Sequence, residues 1–437
     1  MRDRVGTVGL VAAALFGTVG GCGADGSQAG GPGPPVAVAV AHRHRAVRVR
    51  APAPEAGPSR AKAFLGALVF NDVDLSASGT EACASCHEAD RAFTGNNAPH
   101  RPLFPVSVGA YPTLLGTRNA PTAMYMAFSP AFGFVEDDDG LTPTGGQFWD
   151  GRASSLAEQA KGPFVNPREM ALPDHASVIA RVRRAAYAPL FREVYGRRAL
   201  DDVESAYDDL ADAVQAFEQT SVFAPFSSKF DAYLRGRARL THAEARGFQL
   251  FKDPEKGNCI ACHAGDPSSR DPRDWLFTDF TYDNLGVPRN DEIPDNADPS
   301  VFDLGLCAQP DLAAKVPATV ADPAGFIASL CGAFKVPTLR NVARTAPYAH
   351  NGYFKRLRDV IEFYVTRDTN PERWYPVGAD GRVQKFNDLP PQYHGNVNTQ
   401  EVPYDRHPGE APRLDGREID DLLQFLGTLS DGYDDRR

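Results

Sequence analysis

Two short segments of the chain carry residues whose types and spacing could attach a cofactor. Each has the pattern Cys-x-x-Cys-His, at residues 83–87 and at residues 259–263. Two thiols followed at once by an imidazole are typical of covalent haem attachment, with two thioether bonds and a histidine ligand to the iron. Zinc would want a second ligand pair near each motif, and a thioredoxin-like redox pair would want a βαβ setting. Neither is evident, so the chain is expected to hold two covalently bound haem c groups.

The cofactor ligands expected from the two motifs are six. They are Cys83, Cys86 and His87 in the first motif, and Cys259, Cys262 and His263 in the second.

The N-terminus indicates export. Arg2 and Arg4 precede an apolar run of small residues from 5 to 20, so residues 1–22 are expected to be a signal peptide, too short and glycine-rich to span a membrane. Residues 19–22 resemble a lipoprotein cleavage site. Cys22 is therefore a candidate for lipid attachment, with ordinary cleavage nearby as the alternative. We expect an exported, periplasmic protein that Cys22 would anchor to the membrane if lipidated.

Residues 23–58 are expected to form a flexible linker, because they are rich in Gly, Pro and Ala and have little to bury. His42 and His44 lie in it and are expected to be solvated. The formal net charge of −10 argues against nucleic acid as a partner. This negative charge would suit a basic redox protein as a partner.

Two of the seven cysteines remain when Cys22 and the haem motifs are set aside. In an oxidising compartment Cys307 and Cys331 are expected to form a disulfide, and two buried thiols are the alternative.

The elements that must position the motifs are mainly helical. Residues 63–70 precede the first motif and residues 246–251 the second, each resembling the end of a helix that leads through a loop to a haem-binding helix. The expected fold is mainly α, with two cytochrome c-like helical domains and long ordered loops. Residues 59–225 would form the N-terminal domain and residues 226–437 the C-terminal domain.

Three apolar stripes with helical spacing support this fold class. The first runs from Val203 to Phe217, with Asp201 as the expected cap. The second includes Leu357 and Tyr364, and the third runs from Ile419 to Leu429.

Beyond the motifs, three groups of segments resemble the bacterial di-haem cytochrome c peroxidase family, which includes the MauG enzymes. They are residues 116–121; residues 147–152 with 159–163 and 166–170; and residues 334–342 with 345–350. The resemblance implies two helical cytochrome c domains with one haem each and a calcium ion between them. Hydrogen peroxide would react at the N-terminal haem, and the C-terminal haem would take in electrons or store an oxidising equivalent.

The resemblance also implies roles for single residues. Trp149 matches the family tryptophan between the haems, where a π-system can relay electrons. Without the resemblance, Trp149 would be interpreted as a core residue. Gln159, Pro163 and Glu169 match the peroxide pocket. A positioned carboxyl group such as that of Glu169 can shuttle the proton that must move between the peroxide oxygens, although charge at a helix start is the plainer interpretation.

The implied calcium site has three members. One side-chain oxygen from Asn119 and the backbone carbonyls of Thr345 and Pro347 match it, and hard oxygen ligands suit calcium.

Two positions depart from the usual peroxidase pattern. A histidine that blocks the resting N-terminal haem in many relatives is matched here by Ala110, and the nearby His100 is expected to be a solvated loop residue. A five-coordinate haem at His87 is therefore expected. The usual distal methionine of the second haem is matched by Tyr364, as in MauG, and no methionine follows the second motif. A core tyrosine with its hydroxyl bonded elsewhere is the alternative.

A tyrosine ligand favours higher oxidation states of the iron, so the sequence favours MauG-like chemistry. The expected enzyme is a peroxidase-type oxidoreductase that uses hydrogen peroxide to form a high-valent haem and to oxidise a protein substrate or a small donor. The alternative is a cytochrome c peroxidase that takes electrons from a small redox protein, a cytochrome c or a cupredoxin. A further alternative is a protein that is not an enzyme: a non-catalytic electron carrier or a haem redox sensor.

Overall fold

A computed structural model describes residues 59–137 and 140–434. The α-helices of these residues are α1 Arg60–Phe70, α2 Cys83–Cys86, α3 Leu156–Val165, α4 His175–Val182, α5 Ala188–Tyr195, α6 Val203–Glu218, α7 Lys229–Leu234, α8 His242–Lys252, α9 Leu312–Lys315, α10 Pro323–Ser329, α11 Leu357–Thr366 and α12 Gly416–Gly427. The strands are β1 Gly133–Asp137, β2 Gly140–Thr144, β3 Tyr282–Asp283 and β4 Phe334–Lys335. They form two antiparallel pairs, β1 with β2 and β3 with β4. The expected mainly helical fold is confirmed.

The helix before each haem motif crosses a second helix at a glycine. A Cβ atom on Gly66 of α1 would lie 1.8 Å from the carbonyl oxygen of Ala213 in α6, and one on Gly247 of α8 would lie 2.0 Å from that of Asp421 in α12. Only glycine permits backbones to approach this closely. The same crossing therefore occurs twice, once before each motif. The boundary placed between residues 225 and 226 stays a prediction.

The helix expected from Val203 to Phe217 is α6, but its cap is one residue later than expected. The side chain of Asp202, not Asp201, accepts a hydrogen bond from the backbone N–H of Ser205 at 2.9 Å. Either acid could cap in principle; the one immediately before the first helical residue reaches the free N–H groups of the first turn.

The two haem motifs differ in local structure. The first forms the single α-turn α2, whereas the second forms a 3₁₀ turn at Cys259–Ala261 after Asn258 in the left-handed region. The expectation of a haem-binding α-helix is therefore wrong for the second motif. The third stripe forms α12, although Leu429 lies beyond its end and is still buried.

Cys307 and Cys331 form a disulfide, which confirms that expectation. The bond closes a loop of 24 residues. Replacing both cysteines with alanine should lower the free energy of unfolding by about 3 kcal/mol, because the unfolded chain regains the entropy of the open loop. Denaturant titration of the wild type and the double variant measures this difference. Equal stability of the two proteins would contradict the prediction.

None of the helices in the described part of the chain is long and apolar enough to cross a membrane. The proposed signal peptide, the linker, Cys22, His42 and His44 lie outside the described residues.

Candidate functional site

Both motifs open onto one internal cavity of about 770 Å³. Its wall includes both cysteines and the histidine of each motif, from Cys83 to His87 and from Cys259 to His263. The rest of the wall comes from loops and helices far apart in sequence, including α3, α6 and α11. A cavity of this size with paired thiols at two places suits two large apolar groups bound covalently.

The two motif histidines are held with one ring nitrogen already engaged. The Nδ1–H of His87 donates to the carbonyl oxygen of Phe93 at 2.8 Å, and that of His263 faces the carbonyls of Pro337 at 3.1 Å and Phe277 at 3.2 Å. A proton on Nδ1 leaves Nε2 with the lone pair that a metal requires. Burial lowers the pKa of His87, and lowers that of His263 to about 4. Both rings are therefore neutral and suited to bind iron.

The four motif cysteines are free thiols. Burial raises the pKa of Cys86 and of Cys259 to about 12 when no metal is bound. Zinc binds thiolates in clusters with other ligands. Among the described residues, the one such cluster joins Cys262 to Asp283 and Glu401, and the first motif has no counterpart. The donor set therefore fits haem attachment better than zinc.

The residues matched to a peroxide pocket converge on one wall of the cavity. Gln159 and Pro163 lie one turn apart on α3, and Glu169 follows in the next loop. The Nδ2 of Asn166 donates to Oε1 of Glu169 at 3.0 Å. Burial raises the pKa of Glu169, while the Arg152 charge and this hydrogen bond oppose the rise. The carboxyl group can therefore take up and release a proton.

The segment that carries Ala110 lies against the Glu169 loop. The backbone N–H of Ala110 donates to the carbonyl of Glu169 at 2.7 Å, and a Cβ on Gly109 would lie 2.3 Å from the carbonyl oxygen of Arg168. His100 is exposed and is not part of the cavity wall. Besides the motif histidines, the described wall contains only His350, whose ring stacks on Phe334 at 3.5 Å.

Trp149 lies on the cavity wall, and hydrogen bonds hold both its side chain and its backbone. Its Nε1–H donates to the carbonyl of Asn119 at 2.8 Å, and its own carbonyl accepts from the N–H of Lys335 at 2.8 Å. Because Lys335 belongs to β4, these bonds tie the tryptophan to a segment almost 200 residues later.

The residues matched to a calcium site are partly brought together. The side-chain amide of Asn119 is 2.7 Å from the carbonyl oxygen of Pro347, and Thr345 lines the same cavity. The amide nitrogen faces that carbonyl, and a half-turn of the amide would place Oδ1 there instead. The calcium ion stays a prediction.

Tyr364 projects from α11 to the cavity wall. Its ring meets that of Tyr404 edge-on at 5.6 Å. Burial raises its pKa, and no residue within the described ranges forms a hydrogen bond with its hydroxyl group. The hydroxyl is thus free to meet a group that fills the cavity.

One charged cluster at the site was not expected from the sequence. Arg118 contacts Asp150 and Asp303, each at 2.6 Å, and these ion pairs hold its guanidinium at the cavity wall. Arg118 stands next to Asn119 in a segment that carries the family resemblance, but its partner Asp303 is 185 residues away. The position of Arg118 in that segment could have indicated a role at the site. Its pairing with Asp303 could not be predicted without the fold.

Comparison with known proteins identifies the family. The family model "Di-haem cytochrome c peroxidase" matches residues 60–239. The methylamine utilization protein MauG of Paracoccus denitrificans is 38% identical over 381 residues, which cover 85% of this chain and 89% of that protein. The chain belongs to the di-haem cytochrome c peroxidase family.

Other relatives agree. The cytochrome c551 peroxidase of Nitrosomonas europaea is 30% identical, over 69% of this chain and 72% of its own length. The crystal structure of the diheme peroxidase BthA from Burkholderia thailandensis superposes with a TM-score of 0.78 at 40% identity, covering 86% of this chain and 87% of that one. The chain is a di-haem peroxidase-like oxidoreductase, as the sequence predicted, and the family implies two c-type haems.

Proposed function

We propose that the protein uses hydrogen peroxide to oxidise a protein substrate or a small donor in the manner of MauG. The position of Tyr364 supports this proposal most directly. Its hydroxyl faces the cavity without a hydrogen-bond partner among the described residues. No methionine follows the second motif to take that place. The 38% identity to MauG over most of both chains supports the same choice.

The residues of the two motifs would hold the cofactors. Cys83 and Cys86 would form thioether bonds to one haem, and the Nε2 atom of His87 would bind its iron. Cys259, Cys262 and His263 would hold the second haem in the same way, and the Tyr364 oxygen would also bind its iron. When bound, the haems supply the electrons that reduce hydrogen peroxide.

Glu169 would move the proton that this reduction requires. A carboxylate oxygen accepts the proton from one peroxide oxygen and returns it to the other, which leaves as water. The hydrogen bond from Asn166 fixes the carboxyl group in place. Gln159 would orient the peroxide through its side-chain amide, and Pro163 would fill the wall and limit water.

Trp149 would relay electrons between the two halves of the cavity. The indole Nε1–H donates to the carbonyl of Asn119, and the Trp149 carbonyl accepts from the backbone N–H of Lys335. A fixed π-system needs little rearrangement when it gains or loses an electron. We place calcium beside this residue, on Asn119, Thr345 and Pro347.

The oxidised partner would be either a protein substrate or a small electron-donor protein such as a cytochrome c or a cupredoxin. We place the protein in the periplasm, because residues 1–22 have the pattern of a secretory signal. Cys22 would carry the lipid anchor if the signal is of the lipoprotein type.

Steady-state turnover with reduced cytochrome c tests the proposal. We expect the holoprotein to react with peroxide but to oxidise reduced cytochrome c only slowly, because an anionic oxygen ligand lowers the potential of the second haem. Relatives with cytochrome c peroxidase activity provide the positive control. Rapid turnover would favour the plain cytochrome c peroxidase, and no reaction with peroxide would favour an electron carrier or sensor.

A further inference from the structure

A second buried carboxyl group lies on the cavity wall, and the mechanism above does not use it. Glu218 is the last residue of α6, and only 6% of its surface is exposed. None of the described residues forms a hydrogen bond or an ion pair with it. A buried carboxylate without such a partner is strongly disfavoured relative to the neutral acid. Burial alone raises the pKa of Glu218 to about 8.

The surroundings of Glu218 place it beside the first motif. Val214, one turn earlier on α6, also lines the cavity. The negative charge of Glu218 is the largest cause, after burial, of the raised pKa of the Cys83 thiol, so the two groups are close. Phe217 precedes Glu218, and its ring packs on Phe70 at 5.5 Å. The carboxyl group therefore has an apolar core behind it and the haem-attachment turn in front.

The charges on neighbouring elements do not compensate it. On α1, the Nζ of Lys62 is bound to Asp212 at 2.6 Å, and neither residue is part of the cavity wall. The negative charge of Glu169, in the loop after α3, also raises the pKa of Cys83, but by less than that of Glu218 does. Cys83 itself becomes a thioether when haem is attached and no longer titrates. The nearest new charge that Glu218 would sense is thus the one on the haem.

We propose that Glu218 exchanges a proton with solvent as the haem at the Cys83–His87 turn changes oxidation state. This inference rests on the proposed attachment of haem at that turn. When one electron leaves the haem to peroxide or to an electrode, positive charge is added beside the carboxyl group. The O–H bond of Glu218 then breaks, its electron pair stays on the oxygen, and the proton goes to water. Reduction reverses both transfers.

The sign of the pH dependence follows from this exchange. As pH rises, Glu218 loses its proton and its negative charge favours the oxidised haem. The reduction potential of this haem should therefore fall with rising pH between about pH 6 and 9, by up to one proton per electron. The second haem should be much less sensitive, because the Glu218 charge raises the pKa of Cys83 but is not among the main causes of the raised pKa of Cys259 or Cys262.

Spectroelectrochemical titration of the holoprotein at several pH values tests the proposal. In the Glu218→Gln variant, the potential of the first haem should lose most of its pH dependence. The variant should match the wild type at low pH, where Glu218 is neutral. Glu193→Gln is the matched control, because Glu193 is exposed on α5 and away from the cavity wall. Haem propionates are common to all three proteins, so a pH dependence that is lost only in Glu218→Gln reports Glu218.

A measurement on the wild type alone guards against a variant that fails to fold. Infrared difference spectra at pH 7 should show a protonated carboxyl C=O band that is lost when the haem is oxidised. No such band, or the same pH dependence in Glu218→Gln as in the wild type, would overturn the proposal. Mass spectrometry of the peptide that contains Cys83 separates this failure from that of the proposed function, because it shows whether haem is attached there.

Discussion

The Glu169→Gln variant is expected to react with hydrogen peroxide about 10²–10⁴ times more slowly than the wild type. Glutamine keeps the size of the side chain but cannot take a proton from one peroxide oxygen and return it to the other. The hydrogen bond from Asn166 can still be made to the amide oxygen, so the local structure should persist. Stopped-flow absorption spectra of the ferric protein mixed with peroxide measure the rate.

Glu158→Gln is the control for this experiment. Glu158 lies on the same helix as Gln159 but pairs with Lys161 at the surface and is not part of the cavity wall. Its replacement should leave the rate unchanged. If Glu169→Gln reacted as fast as the wild type, the proton-transfer role of Glu169 would have to be abandoned.

The Tyr364→Met variant is expected to raise the reduction potential of the second haem by roughly some tenths of a volt. A thioether stabilises ferrous iron, whereas an anionic phenolate stabilises higher oxidation states, and axial ligands set haem potentials over about 0.8 V. The variant should also accept electrons from reduced cytochrome c more readily than the wild type does. Potentiometric titration and steady-state turnover measure the two effects.

Tyr364→Phe separates ligation from packing. Phenylalanine keeps the ring that meets Tyr404 edge-on but removes the oxygen. We expect the absorption and electron paramagnetic resonance spectra of this variant to show that the second haem has lost its oxygen ligand, while the protein remains folded. Identical potentials in the wild type, the methionine variant and the phenylalanine variant would show that Tyr364 is a core residue with no bond to iron.

The sequence predicted what short-range patterns encode. Periodic apolar residues located α6, α11 and α12, because a helix with one buried face must repeat its contacts every three or four residues. The cap of α6 was misplaced by one residue because Asp201 and Asp202 are chemically alike, and only the exact helix start distinguishes them. The two cysteine–histidine motifs were visible because haem attachment needs a fixed local spacing.

Long-range features of the site could not be predicted in the same way. Glu218 ends a helix, where an acidic residue usually faces water, and its burial depends on the packing of α1 against α6. The pairing of Arg118 with Asp303 joins segments 185 residues apart. The 3₁₀ turn of the second motif is another such case, since the first motif has the same spacing but forms an α-turn.

We propose that His87 is the one protein ligand of the first haem iron, whereas His263 and the Tyr364 oxygen both bind the second. Electron paramagnetic resonance of the purified ferric holoprotein tests it most directly. We expect a high-spin signal from the first haem together with a low-spin signal from the second, the latter altered in Tyr364→Phe. Two low-spin signals with nitrogen or sulfur as the sixth ligand of both irons would contradict it.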